Sequence, residues 1–322
     1  MKQFFTVTFG GLAAIGTGMA LAYLAHSAWL TFQPSLAQLS IPSLKSVAAS
    51  MVSQPTDGTS ISGMARTVRF TATEEEDAIN AAAQSLPAGS DKNITATAYL
   101  VTDFTHGSIA ATYDPDKLVP IASLSKLVTA IIANRTLDPS QKITISRDIM
   151  ATYGNTAGFK VGETITVSDL YYPLLMVSSN DAAEALASAV DRKQFLQDMN
   201  TFVQSIGAYR TEFEDPSGLS PNNVSTARDL TIILDWIRKN QPNIIAITQL
   251  KTKTIRSHTW VNPTHFLSWS NFLGGKNGYT TEADRTAIGL FTAGANKDTY
   301  CVVLLGSESR DSDIIKLLKK IK

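Results

Sequence analysis

The stretch I-A-S-L-S-K-L-V-T-A, Ile121 to Ala130, sets Ser123 three residues ahead of Lys126 at the head of an apolar segment. Leu124, Leu127, Val128, Ile131 and Ile132 recur with a helical period, which predicts a buried helix. Residues three apart on a helix share a face, with Cβ atoms about 5–6 Å apart, so Lys126 can present its amine to the Ser123 hydroxyl. The pair reads either as a nucleophile with its base one turn along or as a helix cap followed by a surface lysine. A Ser-x-x-Lys pair is expected roughly once by chance in a chain of this size, so the choice depends on the surrounding sequence.

Working outward, T-A-T-A-Y-L-V-T-D and G-S-I-A-A-T-Y-D are strand-like and joined by F-T-H-G, where Gly107 is available for a positive φ, so they predict a hairpin. Ahead of them T-E-E-E-D-A-I-N-A-A-A-Q-S-L reads as a helix with a capping box, Thr73 to Glu76. Downstream, V-S-D-L-Y-Y-P-L-L-M-V predicts a helix capped at Ser168, N-D-A-A-E-A-L-A-S-A-V one starting near Asn180, and S-T-A-R-D-L-T-I-I-L-D-W-I-R-K an amphipathic third. The C-terminal part returns to strands, T-H-F-L-S-W-S, K-N-G-Y-T-T, T-A-I-G-L-F-T-A-G and T-Y-C-V-V-L-L-G-S, before a closing helix from Asp311 to Lys322. A helix-rich middle flanked by strands predicts an α+β fold whose antiparallel sheet is completed by both ends of the chain.

The 322 residues, 44% of them hydrophobic, are ample for a large core. With 28 basic against 28 acidic residues, charge gives no sign of a nucleic-acid partner. The single Cys301, in an apolar run, permits no internal disulfide and reads as a buried core thiol. His26, His106, His258 and His265 show no ligand spacing, so no metal is implied. From Phe4 to Phe32 the chain carries no formal charge apart from His26, long enough to cross a bilayer as a helix. Residues 1–32 are therefore read as a transmembrane anchor or a signal segment, with the bulk of the chain outside the cytoplasm, on the periplasmic or cell-wall side, and secreted if the segment is cleaved. Residues 33–69, rich in Ser, Pro, Thr and Gly, read as a linker, and 70–322 as the folded domain.

Two further motifs accompany the first. V-S-S-N-D holds Ser178 and Asn180 in a Ser-x-Asn arrangement between two helices, and G-G-K-N-G-Y-T-T holds Lys276 and Gly278 on an expected strand. Ser-x-x-Lys, Ser-x-Asn and Lys-x-Gly in this order resemble the motifs of the penicillin-recognising serine enzymes. V-P-I-A-S-L-S-K-L-V-T-A, the segment from Gly162 to Ala187 and F-E-D-P-S-G-L-S-P-N-N-V-S-T-A-R-D-L narrow the resemblance to D-alanyl-D-alanine carboxypeptidases of the peptidase S11 type, the low-molecular-mass penicillin-binding proteins. It covers roughly Thr95 to Ile321. It implies the penicillin-binding, β-lactamase-like transpeptidase fold, a helical lobe on a five-stranded antiparallel sheet with the site in the groove between them. The substrate would be a peptidoglycan stem peptide, cut by a D,D-carboxypeptidase or a closely related D,D-endopeptidase, β-lactams would be covalent inhibitors, and no cofactor is implied.

Carried over residue by residue, the resemblance makes Ser123 the nucleophile and Lys126 its base. A free lysine is protonated at neutral pH, so the base role needs burial or a nearby cation, for which Lys276 is the candidate. Ser178 would relay a proton to the leaving amine, and Asn180 would hold the substrate's peptide group or the lysine. The backbone N–H groups of Ser123 and Tyr279 would face the oxyanion. Gly278 would leave room for the substrate backbone, and Lys276 would attract its terminal carboxylate. The family's Lys-Thr-Gly is Lys276-Asn277-Gly278 here, so a carboxamide replaces the carboxylate-binding hydroxyl. Asp284 stands where relatives commonly have glycine, and Arg310 near where they place a carboxylate-binding arginine. Three alternatives stay open. Asn277-Gly278 could be a hairpin turn. The protein could be a class A-like β-lactamase, although Glu212 and Glu214 lack that family's Glu-x-x-Leu-Asn spacing. It could also be a non-catalytic cell-wall-binding homologue whose altered third motif has lost turnover.

Overall fold

The computed structural model describes residues 93–321. The anchor or signal segment, the linker and the capped helix at Thr73 lie outside the described residues. In chain order come β1 (Ala98–Asp103), β2 (Ser108–Tyr113), β3 (Val119–Pro120), a 3-10 turn (Ala122–Leu124) and α1 (Ser125–Thr136). Then follow β4 (Lys142–Thr144), α2 (Arg147–Met150), β5 (Thr164–Thr166), α3 (Val167–Met176), α4 (Asn180–Ser188) and α5 (Arg192–Ser205). After β6 (Val224–Ser225), α6 (Ala227–Asn240) and α7 (Pro242–Thr248) come β7 (Thr252–Ile255), β8 (His258–Val261) and a second 3-10 turn (His265–Ser268). The chain closes with β9 (Phe272–Thr280), β10 (Asp284–Ala293), β11 (Asp298–Ser307) and α8 (Arg310–Lys319).

The architecture is α+β. Five strands form one antiparallel sheet in the order β2-β1-β11-β10-β9, so the C-terminal strands slot against the N-terminal hairpin. Both faces of its central strand are buried, because β11 is apolar at every position from Tyr300 to Leu305. Cys301, Val303 and Leu305 face the helical lobe, while Tyr300, Val302 and Leu304 face a second cluster under α8 with Ile314 and Leu317. The Cys301 thiol is fully buried, which pushes its pKa up to about 12. The helix α1 is buried at every residue from Ser125 to Ala133, which makes it the core element of the lobe.

The structure corrects several details. T-H-F-L-S-W-S is no strand; it holds the second 3-10 turn, because Phe266 and Trp269, three apart, both turn into the aromatic cluster with Phe272 and Phe291. Thr166, not Ser168, caps α3, its hydroxyl accepting from Asp169 N at 3.2 Å. The closing helix begins at Arg310, one residue early. Asn277 and Gly278 lie inside β9, paired with Ala287 and Thr286, so the hairpin-turn alternative falls. The turn before β10 instead ends on Asp284, with φ of 52° in the region that favours glycine. Among the described residues no helix is long and apolar enough to cross a membrane.

Candidate active site

Ser123 sits in the 3-10 turn, and α1 starts only at Ser125. Neither the turn nor the helix has a side-chain cap, and Ser123 Oγ instead accepts a hydrogen bond from Lys126 Nζ at 2.9 Å. The turn is fixed from several sides. Ala122 takes a left-handed φ of 50°, its carbonyl accepts from Ser125 Oγ at 2.9 Å, and Thr286 Oγ1 on the sheet donates to Ile121 O at 3.1 Å. Two glycines press on it. A Cβ at Gly278 would stand 2.8 Å from Ser123 N, and one at Gly218 would stand 1.9 Å from Ala122 O. The Ser123 N–H thus faces strand β9 across a gap that only a glycine leaves open.

Lys126 is wholly buried and its amine meets Ser123 Oγ, Asn180 Oδ1 at 2.7 Å and the Ser217 carbonyl at 2.5 Å; the ammonium donates to all three, and the neutral amine donates to the last two with its lone pair left for the Ser123 hydroxyl. Burial first, and then the charge of Lys276, push its amine well below the ordinary lysine value, with Asp215 and Glu184 opposing only in part. Lys276 is 4% exposed and donates to Ser178 Oγ at 2.9 Å and to Asn277 O at 2.7 Å. Burial and the charge of Arg310 lower its pKa to about 7.

The junction between α3 and α4 sends two side chains into the same space. Ser179 is the cap of α4, accepting from Ala182 N at 3.0 Å, so Ser178 and Asn180 on either side of it are released from capping. Ser178 is held at φ 59°, a strained conformation for a serine, which aims its hydroxyl at Lys276. Asn180 bridges two walls: Oδ1 receives Lys126, and Nδ2 donates to the Tyr153 carbonyl at 2.6 Å.

Ser123, Lys126, Ser178, Asn180 and Lys276 therefore meet through short hydrogen bonds where the helical lobe faces β9. Asn277 does not join them through its side chain; its Nδ2 turns to Thr264 Oγ1 at 3.3 Å. Tyr279 lies next on β9 and is 60% exposed, and Arg310 acts on Lys276 by charge while lying 5.3 Å from the centre of the Phe266 ring. The two glutamates weighed for a deacylating role are exposed, with Glu214 Oε2 accepting from Asn222 Nδ2 at 3.1 Å. Among the described residues one group has metal-ligating geometry, Asp103, His106 and Asp298 at the β1–β2 and β10–β11 turns, outside this network.

Sequence reasoning matched the segment after Thr211 to the family but gave it no role in the site. Burial would raise the pKa of Asp215, but its carboxylate accepts from Ser217 Oγ and from the backbone N–H groups of Ser217, Gly218 and Ser220, and these bonds hold it below the ordinary range. So organised, the loop delivers the Ser217 carbonyl to Lys126 and Gly218 to Ala122. The Asp-Pro-Ser-Gly turn is legible, but nothing local tells which lysine, 91 residues away, it meets.

An arrangement of this kind can do acyl transfer. A hydroxyl bonded to a buried amine of depressed basicity is an activated nucleophile, and the second lysine–serine pair can pass a proton.

Comparison with known proteins bears on which acyl group. The family model described as D-alanyl-D-alanine carboxypeptidase, peptidase S11, matches residues 81–308. A D-alanyl-D-alanine endopeptidase of Escherichia coli is 34% identical over 189 residues, 56% of this chain and 59% of that protein. The D-alanyl-D-alanine carboxypeptidase DacA of Haemophilus influenzae is 30% identical over 228 residues, 66% of this chain and 57% of that one. The chain thus spans less than two thirds of the length of these relatives. Among solved structures, a point mutant of the Streptomyces K15 DD-transpeptidase superposes with a TM-score of 0.64 at 29% identity, covering 70% of this chain and 97% of that one. Penicillin-binding protein D2 of Listeria monocytogenes, in its cefotaxime-bound form, gives 0.63 at 28%, covering 72% and 99%.

Proposed function

This chain belongs to the peptidase S11 family of D-alanyl-D-alanine carboxypeptidases, and on that premise we propose that it removes the terminal D-alanine from peptidoglycan stem peptides through an acyl-enzyme on Ser123. The observation that carries the reading is Lys126: an amine with no solvent exposure, 2.9 Å from Ser123 Oγ, whose basicity is lowered by burial and by Lys276. Neutral Lys126 takes the hydroxyl proton as Ser123 Oγ attacks the carbonyl carbon between the two D-alanines. The oxyanion is met by the backbone N–H groups of Ser123 and Tyr279. The C–N bond breaks as Ser178, bonded to Lys276, gives its proton to the leaving amine and is re-protonated at the expense of the proton Lys126 took, which leaves Lys126 neutral again. Water then adds to the ester, Lys126 taking its proton and handing it to Ser123 Oγ as the acyl–oxygen bond breaks, so the hydroxyl is restored and the shortened stem leaves as an acid that ionises to its new carboxylate. Asn180 holds Lys126 in line throughout, and Lys276 with Arg310 supplies positive charge for the terminal carboxylate.

The two glutamates considered for the β-lactamase alternative, Glu212 and Glu214, are exposed and give it no support. A binding role without turnover has no support in the site geometry, because the altered residue, Asn277, leaves Lys276 in contact with Ser178. Action outside the cytoplasmic membrane follows from the substrate, and the apolar run at Phe4–Phe32 supplies a tether or an export signal.

The test is to expose the full-length protein in membranes to a fluorescent penicillin, follow the adduct in time, and assay free D-alanine from a synthetic stem pentapeptide. A long-lived adduct that Ser123→Ala abolishes, with D-alanine release, is expected. Rapid loss of the adduct points to a β-lactamase, and a protein that neither labels nor releases D-alanine is not this enzyme. The endopeptidase named among the relatives makes a cross-linked peptide dimer the second substrate to offer.

A further inference from the structure

Three consecutive residues ahead of β9 each touch Asn277 of β9 or the start of α8. Thr264 Oγ1 accepts from Asn277 Nδ2 at 3.3 Å. His265 Nδ1 lies 3.2 Å from Asp311 Oδ2, and Asp311 Oδ1 accepts from Arg310 Nε at 2.9 Å. The Phe266 ring lies against the guanidinium of Arg310. This short segment therefore holds in place both the residue that departs from the family's third motif and the cation that acts on Lys276.

Thr264 is well placed to do more than hold. It occupies the cap position of the 3-10 turn, yet its side chain makes no capping bond. Its backbone is fixed by Thr264 N donating to Asn262 Oδ1 at 3.1 Å, while Asn262 Nδ2 donates to Thr248 O at 3.0 Å and Pro263 stiffens the approach. A hydroxyl that accepts from an amide and caps nothing keeps its own proton for a further acceptor. The amide that bonds this hydroxyl belongs to Asn277, which directly follows Lys276 on β9, and the turn residue Phe266 carries the guanidinium of Arg310, so an anion is the favoured acceptor.

We propose that Thr264 is a specificity-determining residue of this site, its hydroxyl, oriented by Asn277, donating to the C-terminal carboxylate of the stem peptide. In this chain the neutral donor for that carboxylate comes from the segment ahead of β9, and Asn277 sets its direction. The inference rests on the peptidase reading above.

The experiment compares two peptides that differ only in ending on a free D-alanine carboxylate or on its carboxamide, and measures release of the C-terminal residue by wild type, Thr264→Val and Thr264→Ser. Losing a hydrogen bond to a charged group should shrink the carboxylate-to-carboxamide ratio of kcat/KM about tenfold in Thr264→Val, and Thr264→Ser should restore it. Melting temperatures of the three proteins report whether the fold is kept. An equal loss on both peptides, or an unchanged ratio in a folded Thr264→Val protein, overturns the role of Thr264 while leaving the peptidase reading intact. A wild type that releases neither residue and carries no penicillin adduct overturns the peptidase reading, and this inference with it.

Discussion

At Lys126 two demands meet that a surface lysine never faces. As the proposed base the amine must lose its proton near neutral pH, and it must stay bonded in the interior once it has done so. Burial and the charge of Lys276 act toward the first by lowering the basicity of the amine, and the ring of Ser123, Asn180 and Ser217 meets the second. Lys126→Ala should slow acylation by penicillin about 10²–10⁴-fold, the usual worth of a general base, while binding of the unreacted drug changes little. Stopped-flow labelling checks this, and unchanged labelling would assign the base elsewhere. Lys276 has a consequence for stability. Its pKa is about 7 in the folded protein against an ordinary 10.5, so between those values the unfolded chain binds the extra proton. Stability must therefore rise with pH across that window, the penalty of the buried charge being complete below about 7. Melting temperatures from pH 6.5 to 9 should climb in wild type relative to Lys276→Met, and parallel curves would contradict the shift.

At the scale of elements, the site is made by what ends or interrupts regular structure: a 3-10 turn before α1, a one-residue left-handed kink between α3 and α4, and an aspartate-centred loop. The two glycines Gly218 and Gly107 provide the test, one against the Ser123 turn and one remote from it. Gly218 has φ of 84° and no room for a Cβ, so Gly218→Ala should cost about 2–5 kcal/mol and abolish labelling by pushing on Ala122. Gly107 also has a positive φ, 72°, but faces open space, so Gly107→Ala should cost only about 1–2 kcal/mol and leave labelling intact. Equal labelling in the two variants would deny that Gly218 shapes the turn. These features mark the limit of what is legible in the sequence. The motifs and the strand pattern of β10 and β11 can be read from residue types, since periodicity and spacing are local. The Ser217 and Tyr153 carbonyls cannot, because every residue has a carbonyl and only the folded chain decides which one a lysine or an amide reaches. The 3-10 turn at His265–Ser268 escapes for a related reason: Phe266 and Trp269 are strand-like by type, and the aromatic cluster they join is assembled by distant Phe291.

For the whole molecule, one sheet serves two cores. The face toward the helical lobe carries the proposed site on its edge strand β9, and the face under α8 anchors that edge through Phe266, Phe272 and Phe291. The hydrogen-bonded residues of the site all come from the stretch between β3 and the end of β9, and the strands that frame them come from both ends of the described chain. A protein starting at residue 70 should accordingly fold and take up fluorescent penicillin at the rate of the full chain; a fragment that fails to fold or to label would place part of the machinery upstream. That Lys126 is the neutral base for Ser123 is tested most directly by the rate of Ser123 acylation as a function of pH. The expected rate rises with pH through an ionisation far below that of a free lysine, on an adduct mapped to Ser123. A rate that rises only near the pKa of a free lysine, or an adduct on another residue, would contradict it.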